Sequence, residues 1–323
     1  MMTKIAVLDD WQGVARDCAD WSELEARAEV TFFRDAFASE DVAVQSLAPF
    51  DIILALRERT AFPASLIQRL PNLRMFSLTG ARAGSIDSKL MMECGVTVCV
   101  TGSGGSGYAT SELALGLMIA ASRCLPTAFA QMQQGGFQSE VPLGYELAGK
   151  TLGLVGAGRL GGRMARYGAA LEMDVIAWSE NLTDEKAAAV GARRVSKQKL
   201  FELSDVISVH LVLSDRSRGI VSAQDLARMK TGAVIINTSR GPLIDETALL
   251  SALQAGKLVA GLDVYDREPL AADHPLRKLP NVVLTPHLGY VVRESMTAFY
   301  AQLVENALAY MDGKPIRLMP SPQ

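Results

Sequence analysis

Three segments in the last third of the chain follow an apolar run with a side chain that can do chemistry. "AVIINTSRGPLID" presents Arg240, "LVAGLDVYDREPL" presents Asp263 and Glu268, and "NVVLTPHLGY" presents His287, one of only three histidines in 323 residues. Side chains just past the carboxyl ends of strands lie where open α/β sheets bind ligands. Reduction of a 2-oxo acid by hydride needs a cation for the carboxylate, an acid to protonate the carbonyl oxygen, and a group that holds that acid in its working state. The three segments supply all three.

A fourth segment could hold the hydride source. "TLGLVGAGRLGGR" spells Gly156-Ala157-Gly158-Arg159-Leu160-Gly161 after an apolar strand and at the start of a helical pattern. In a G-x-G-x-x-G loop the first glycine permits the tight turn, the second lets a pyrophosphate approach the backbone, and the third lets helix and strand pack. Gly156, Gly158 and Gly161 take those places, with Arg159 and Leu160 between them. About twenty residues on, "DVIAWSEN" offers Ser179 and then Glu180 to the ribose. A carboxylate with no adjoining basic residue repels a 2′-phosphate, so NAD is expected over NADP.

The elements that must position these groups are legible as alternating short apolar runs and helical patterns, the mark of parallel βαβ units. Strands are expected at "KIAVLD", "EVTFF", "DIILAL", "LRMFSL" and "VTVCV", which make one small open sheet. After the helical "ATSELALGLMIAASRCL" and the Gly-rich loop "QGGFQSEVPLGYELAG", a plausible boundary region, a second series runs "TLGLVG", "DVIAWS", "ARRV", "VISVHLVL", "AVIINTS", "LVAGLDV" and "NVVLTP". That is enough for a complete doubly wound dinucleotide domain. The amphipathic "ESMTAFYAQLVENALAYMDG" is expected to return to the first domain. The expected division is 1–101 with 292–323, and 102–291.

Composition limits the alternatives. Hydrophobic residues make up 49% and charged residues 21%, which describes a globular chain. The net charge of -3 gives no footprint for nucleic acid or an anionic membrane, and neither partner is expected. Cys18, Cys94, Cys99 and Cys124 lack metal-type spacing, so no metal is expected and reduced thiols in a cytoplasmic protein are. Asp9 and Asp10 directly follow the first apolar run, unlike a signal peptide.

The GAGRLG loop, "NTSRGPLID", "GLDVYDREP" and "TPHLG", in that order, resemble the motifs of the D-isomer-specific 2-hydroxyacid dehydrogenase family, and the resemblance covers nearly the whole chain. It implies α/β architecture with two doubly wound parallel-sheet domains: a Rossmann NAD-binding domain and a smaller, flavodoxin-like substrate domain, discontinuous in sequence. It implies that Arg240 binds the carboxylate and carbonyl of a 2-oxo acid, that His287 exchanges the proton, and that Glu268 pairs with His287. Asp263 would hold the nicotinamide carboxamide, with Thr238 and Thr110 also near the cofactor. "LRERT" and "TGARAGSID" resemble the family's substrate segments and nominate Arg59, Arg82 and Ala83; Arg82 stands where the family has a glycine. Tyr108 and Tyr290 are candidates to line the pocket. His210 is expected to be structural or to flank the cofactor, and His274 to lie in a surface turn. The dimeric habit of the family and the apolar helix after residue 108 lead to the expectation of a homodimer. The rival reading is an NAD-sensing, non-catalytic corepressor or scaffold on the same fold, in which the same arginine, glutamate and histidine are kept.

Overall fold

A computed structural model describes every residue except 1, 58, 81–83, 103, 105, 106 and 321–323. The chain forms two compact units, Met1–Gly107 with Val291–Gln323, and Tyr108–Tyr290. The boundaries expected at 101/102 and 291/292 therefore fall at 107/108 and 290/291. The Gly-rich loop after residue 133, read as a boundary region, lies inside the second unit.

Unit 1 is built on five parallel strands in the order β2-β1-β3-β4-β5. They are β1 (Thr3–Val7), β2 (Ala28–Phe32), β3 (Ile52–Ala55), β4 (Met75–Leu78) and β5 (Thr97–Val100). All four side chains of β3 and all four of β4 are buried, as a parallel sheet covered on both faces requires. The helix Arg293–Met311 completes this unit and buries Phe299, Tyr300, Leu303, Val304 and Ala307. Its buried Asn306 donates to Ser77 Oγ on β4 at 2.9 Å and to the carbonyl of Val100 at 3.1 Å, which fixes its register against the sheet.

Unit 2 has seven parallel strands in the order β12-β11-β10-β9-β6-β7-β8. They are β6 (Thr151–Val155), β7 (Asp174–Trp178), β8 (Arg193–Arg194), β9 (Val206–Val209), β10 (Val234–Asn237), β11 (Val259–Leu262) and β12 (Val282–Leu284). The apolar run "VISVHLVL" is strand only to Val209. The neighbouring strands β6 and β10 end at Val155 and Asn237, so Leu211 onward has no ladder to join. The helical stretch read over residues 109–125 forms the helix Ala109–Ser122, and a second helix, Leu125–Gln133, follows it with Cys124 between them at φ 52°. The first sends Ala114, Leu117, Met118 and Ala121 into the core, whereas the second buries no residue. No single helix among the described residues is long and apolar enough to cross a membrane.

Candidate active site

The carboxyl ends of β6, β9, β10, β11 and β12 gather the sequence candidates of unit 2. At the end of β6, Gly156 has φ 99°, a region that favours glycine, and a Cβ there would sit 2.8 Å from the carbonyl oxygen of His210. Gly161 packs still closer: its Cβ would stand 2.0 Å from the carbonyl oxygen of Gly156. Gly158 precedes the helix Arg159–Ala170 and gives it no side-chain cap, whereas Ser39, Thr183, Ser196, Ser222 and Asp245 each cap the helix they precede. Open space surrounds the position of a Cβ on Gly158. An uncapped helix start with backbone N–H groups and room beside it fits the pyrophosphate of a dinucleotide. Arg159 and Leu160 form the first turn of that helix. Ser179 and Glu180 follow β7 directly, Ser179 half-buried and Glu180 exposed, and Thr238 is buried just past β10.

His287 and Glu268 meet. The imidazole Nδ1 lies 2.6 Å from Glu268 Oε2, and both side chains keep partial access to solvent. The other oxygen of Glu268 accepts from the backbone N–H of Tyr265 at 2.9 Å, so the carboxylate is held from two sides. The rings of Tyr290 and His287 meet edge to face at a centroid distance of 5.7 Å and an interplanar angle of 76°.

The turn that carries His287 is shaped by Asp263, which is fully buried at the end of β11. Its Oδ1 accepts from Thr285 Oγ1 at 2.6 Å and from Leu288 N–H at 2.7 Å, while Oδ2 accepts from Gly289 N–H at 2.8 Å. Its backbone carbonyl takes the His287 N–H at 2.9 Å. These bonds hold His287 at φ 54°, an unfavourable region for a side chain with a Cβ. Burial raises the carboxyl pKa of Asp263, opposed by the same hydrogen bonds and by His287. Thr110 Oγ1 donates to the carbonyl of Gly289 at 2.7 Å. Asp263 and Thr110, both expected at the cofactor, are thus engaged with the histidine turn.

Sequence reasoning missed Tyr265. Its phenol donates to the Thr285 carbonyl at 2.8 Å while its own N–H holds Glu268, so one residue ties together the two loops that bring the pair into contact. A tyrosine in "GLDVYDREP" gives no local sign of this, because Thr285 follows the next strand, twenty residues on. Arg240 stands past β10, with its Nη1 donating to the Ser239 carbonyl at 2.6 Å and its own carbonyl accepting from Asn237 Nδ2 at 2.8 Å. His210 directly follows β9 beside the glycine loop, its Nε2 2.8 Å from Ser208 Oγ, and burial lowers its pKa to about 4. The neutral ring follows, as a structural residue requires. His274 lies in a loop and its Nδ1 accepts from Leu276 N–H at 3.3 Å.

In unit 1 the described candidate is Arg59, whose Nη1 donates to the Asp9 carbonyl at 2.8 Å and whose guanidinium lies 4.4 Å from the centre of the Trp11 ring. Arg82 and Ala83 lie outside the described residues.

Comparison with known proteins identifies the family and the fold. Residues 115–289 match the family model described as D-isomer specific 2-hydroxyacid dehydrogenase, NAD binding domain. The chain is 34% identical over 280 residues to a D-3-phosphoglycerate dehydrogenase of Archaeoglobus fulgidus, covering 86% of this chain and 53% of that protein. It is 31% identical over 299 residues to a glyoxylate reductase of Korarchaeum cryptofilum, covering 91% and 90%. A crystal structure of a phosphoglycerate oxidoreductase from Vibrio cholerae superposes with a TM-score of 0.90 at 39% identity, over 97% of this chain and 100% of that one. The chain spans about half the length of the D-3-phosphoglycerate dehydrogenases it matches.

Proposed function

The chain belongs to the D-isomer specific 2-hydroxyacid dehydrogenase family, and from that premise we propose that it interconverts a 2-oxo acid and its D-2-hydroxy acid with NAD(H) as cofactor. The observation that carries the proposal is the 2.6 Å contact of His287 with Glu268 on the same sheet edge as Arg240 and the glycine loop. Gly156, Gly158 and the first turn of the helix Arg159–Ala170 would hold the cofactor, which would supply or accept the hydride.

The protein's residues do the rest. Arg240 binds the substrate carboxylate through its planar fork, which matches two oxygens at once. In reduction the protonated His287 gives its Nε2 proton to the carbonyl oxygen, and the developing negative charge ends as a hydroxyl. In oxidation the neutral ring takes that proton back. Glu268 accepts the Nδ1–H, which presents Nε2 to the substrate and offsets the charge of the imidazolium. Arg59, at the sheet edge of unit 1, is assigned to contact with the 2-oxo acid. Glu180 at the end of β7 favours NAD over NADP by repelling a 2′-phosphate.

A homodimer is part of this reading. Phe129, Met132, Phe137 and Leu143 are exposed on the helix Leu125–Gln133 and the loop after it, and apolar surface of that extent is suited to a second copy.

The test is NADH oxidation with glyoxylate, hydroxypyruvate and larger 2-oxo acids, repeated with NADPH. Activity on at least one acid is expected. Arg240→Lys should lower kcat/KM by at least roughly a hundredfold with NADH affinity nearly intact, and His287→Ala should cost about two or more powers of ten. A chain that binds NADH yet reduces none of the acids would be a cofactor-sensing scaffold instead.

A further inference from the structure

In unit 1 the strand order reverses beside β1: β2 lies on one side, and β3, β4 and β5 follow on the other. The crevice outside the carboxyl ends at such a reversal is where open α/β sheets take ligands. Here it is flanked by Asp9 and Trp11, which follow β1, and by Arg59 and Thr60, which follow β3. Thr60 Oγ1 donates to Asp9 Oδ1 at 2.8 Å, and Arg59 Nη1 donates to the Asp9 carbonyl at 2.8 Å. The indole of Trp11 supports the guanidinium face of Arg59.

Asp9 is a costly residue for a merely structural link. It is 1% exposed, its backbone has φ 62°, and its Oδ2 is buried without a hydrogen-bond partner. Burial pushes its carboxyl up to about 6 against the pull of Thr60 and Arg59. Backbone strain and a poorly compensated buried charge, found together at a ligand-binding edge, point to function before stability.

We propose that Asp9 is a positioning residue for substrate selection: through Thr60 and Arg59 it fixes the segment after β3 whose cation contacts the 2-oxo acid. The inference rests on the assignment of Arg59 to the substrate. Because Asp9 acts on the placement of a binding group and leaves the dyad of unit 2 untouched, its loss falls on KM and spares kcat.

Asp9→Gly tests this, since glycine keeps the left-handed backbone and removes only the acceptor. With the best 2-oxo acid of the panel, KM should rise about tenfold, kcat should stay within about threefold, and the NADH dissociation constant should not change. Asp9→Asn, which accepts the same hydrogen bond and tolerates the same φ, should restore KM. Thr60→Val should raise KM as Asp9→Gly does, and Thr60→Ser should not. The double variant should show no further rise, as expected for two ends of one link. Arg59→Gln, measured alongside, separates the failures. If it raises KM while Asp9→Gly and Thr60→Val do not, the positioning role is wrong and the substrate assignment stands. If Arg59→Gln leaves KM unchanged, the assignment of Arg59 falls and the route from Asp9 through it falls too.

Discussion

Each unit has one place where its strand order reverses, beside β6 in unit 2 and beside β1 in unit 1, and the two reversals are furnished in opposite ways. At β6 the walls are backbone: Gly156, Gly158 and Gly161 leave no side chain in the way, and His210, whose backbone carbonyl backs the loop, is held neutral by burial. At β1 the walls are side chains, with Asp9, Trp11, Arg59 and Thr60 bonded or stacked on one another. Backbone N–H groups at a helix start grip any phosphate and make a general cradle. A side-chain cluster has a shape and a charge that a single substitution can change. On the proposed reading, unit 2 is therefore suited to a constant cofactor, and unit 1 to selecting among acids.

The largest expected effect would break the backbone cradle. Gly161→Ala places a methyl 2.0 Å from the Gly156 carbonyl oxygen, which cannot yield without moving the loop. NADH affinity should fall by at least about a hundredfold in a fluorescence titration. An alanine variant that binds NADH normally would show that the loop has slack and that the contrast between the two edges is overstated.

The next effect sets two buried aspartates against each other. Asp263 receives three hydrogen bonds on its two oxygens, whereas Asp9 receives one on Oδ1 and none on Oδ2. Asp263→Ala strands Thr285 Oγ1 and the N–H groups of Leu288 and Gly289, and should cost roughly 3 kcal/mol in urea unfolding together with most of the turnover. The change at Asp9 has the other sign. Its folded pKa of about 6 exceeds the 3.8 of an ordinary aspartate, so the folded state binds the extra proton between those values. The stability from that proton is fully present below pH 3.8 and is lost as pH rises through 6. Asp9→Asn removes the ionisation, so it should stabilise the protein by up to about 3 kcal/mol at pH 8 and by nearly nothing at pH 3.5. Equal stability of wild type and Asp9→Asn at pH 8 would mean that the Asp9 carboxylate is compensated after all.

The smallest effect is a flat line. His210 titrates near pH 4, so NADH affinity should show no inflection from this ring between pH 5 and 8, and His210→Gln should leave the pH dependence of binding in that range as it was. An inflection near 6.5 that the glutamine variant removes would put a charged imidazole beside the phosphate loop and erase the electrostatic difference between the two reversals.

Much of the molecule was legible beforehand because its determinants are local. Each of the twelve strands among the described residues overlaps a run read from the sequence, with errors confined to ends such as Thr3, Ala28 and Leu211 to Leu213, the last lying where neighbouring strands stop. The break at Cys124 was partly legible: the helical run read from the sequence stops at Leu125, and Pro126 stands in the first turn of the second helix. The left-handed conformation of Cys124 was not, since a cysteine gives no local sign of it. Glycine spacing announced the cofactor loop because the backbone conformations it needs are available to few other residues. His287 and Glu268 were nominated by resemblance and by their place after strands, but nothing in their sequence separation of nineteen residues fixes a 2.6 Å contact.

What the sequence determined by itself is therefore the set of elements, the two sheets and the residue types that the chemistry needs, since periodicity and turn residues act over a few positions. What the tertiary structure decided is which strand ends become neighbours. Tyr265 can bond Thr285 because β11 lies beside β12, and Asp9 can bond Thr60, 51 residues away, because β3 inserts beside β1. Those adjacencies depend on the burial of whole strands against one another. They make Asp263 the organiser of the histidine turn, and they make Asp9, which closes an apolar run in the sequence, a buried carboxylate at the carboxyl end of β1.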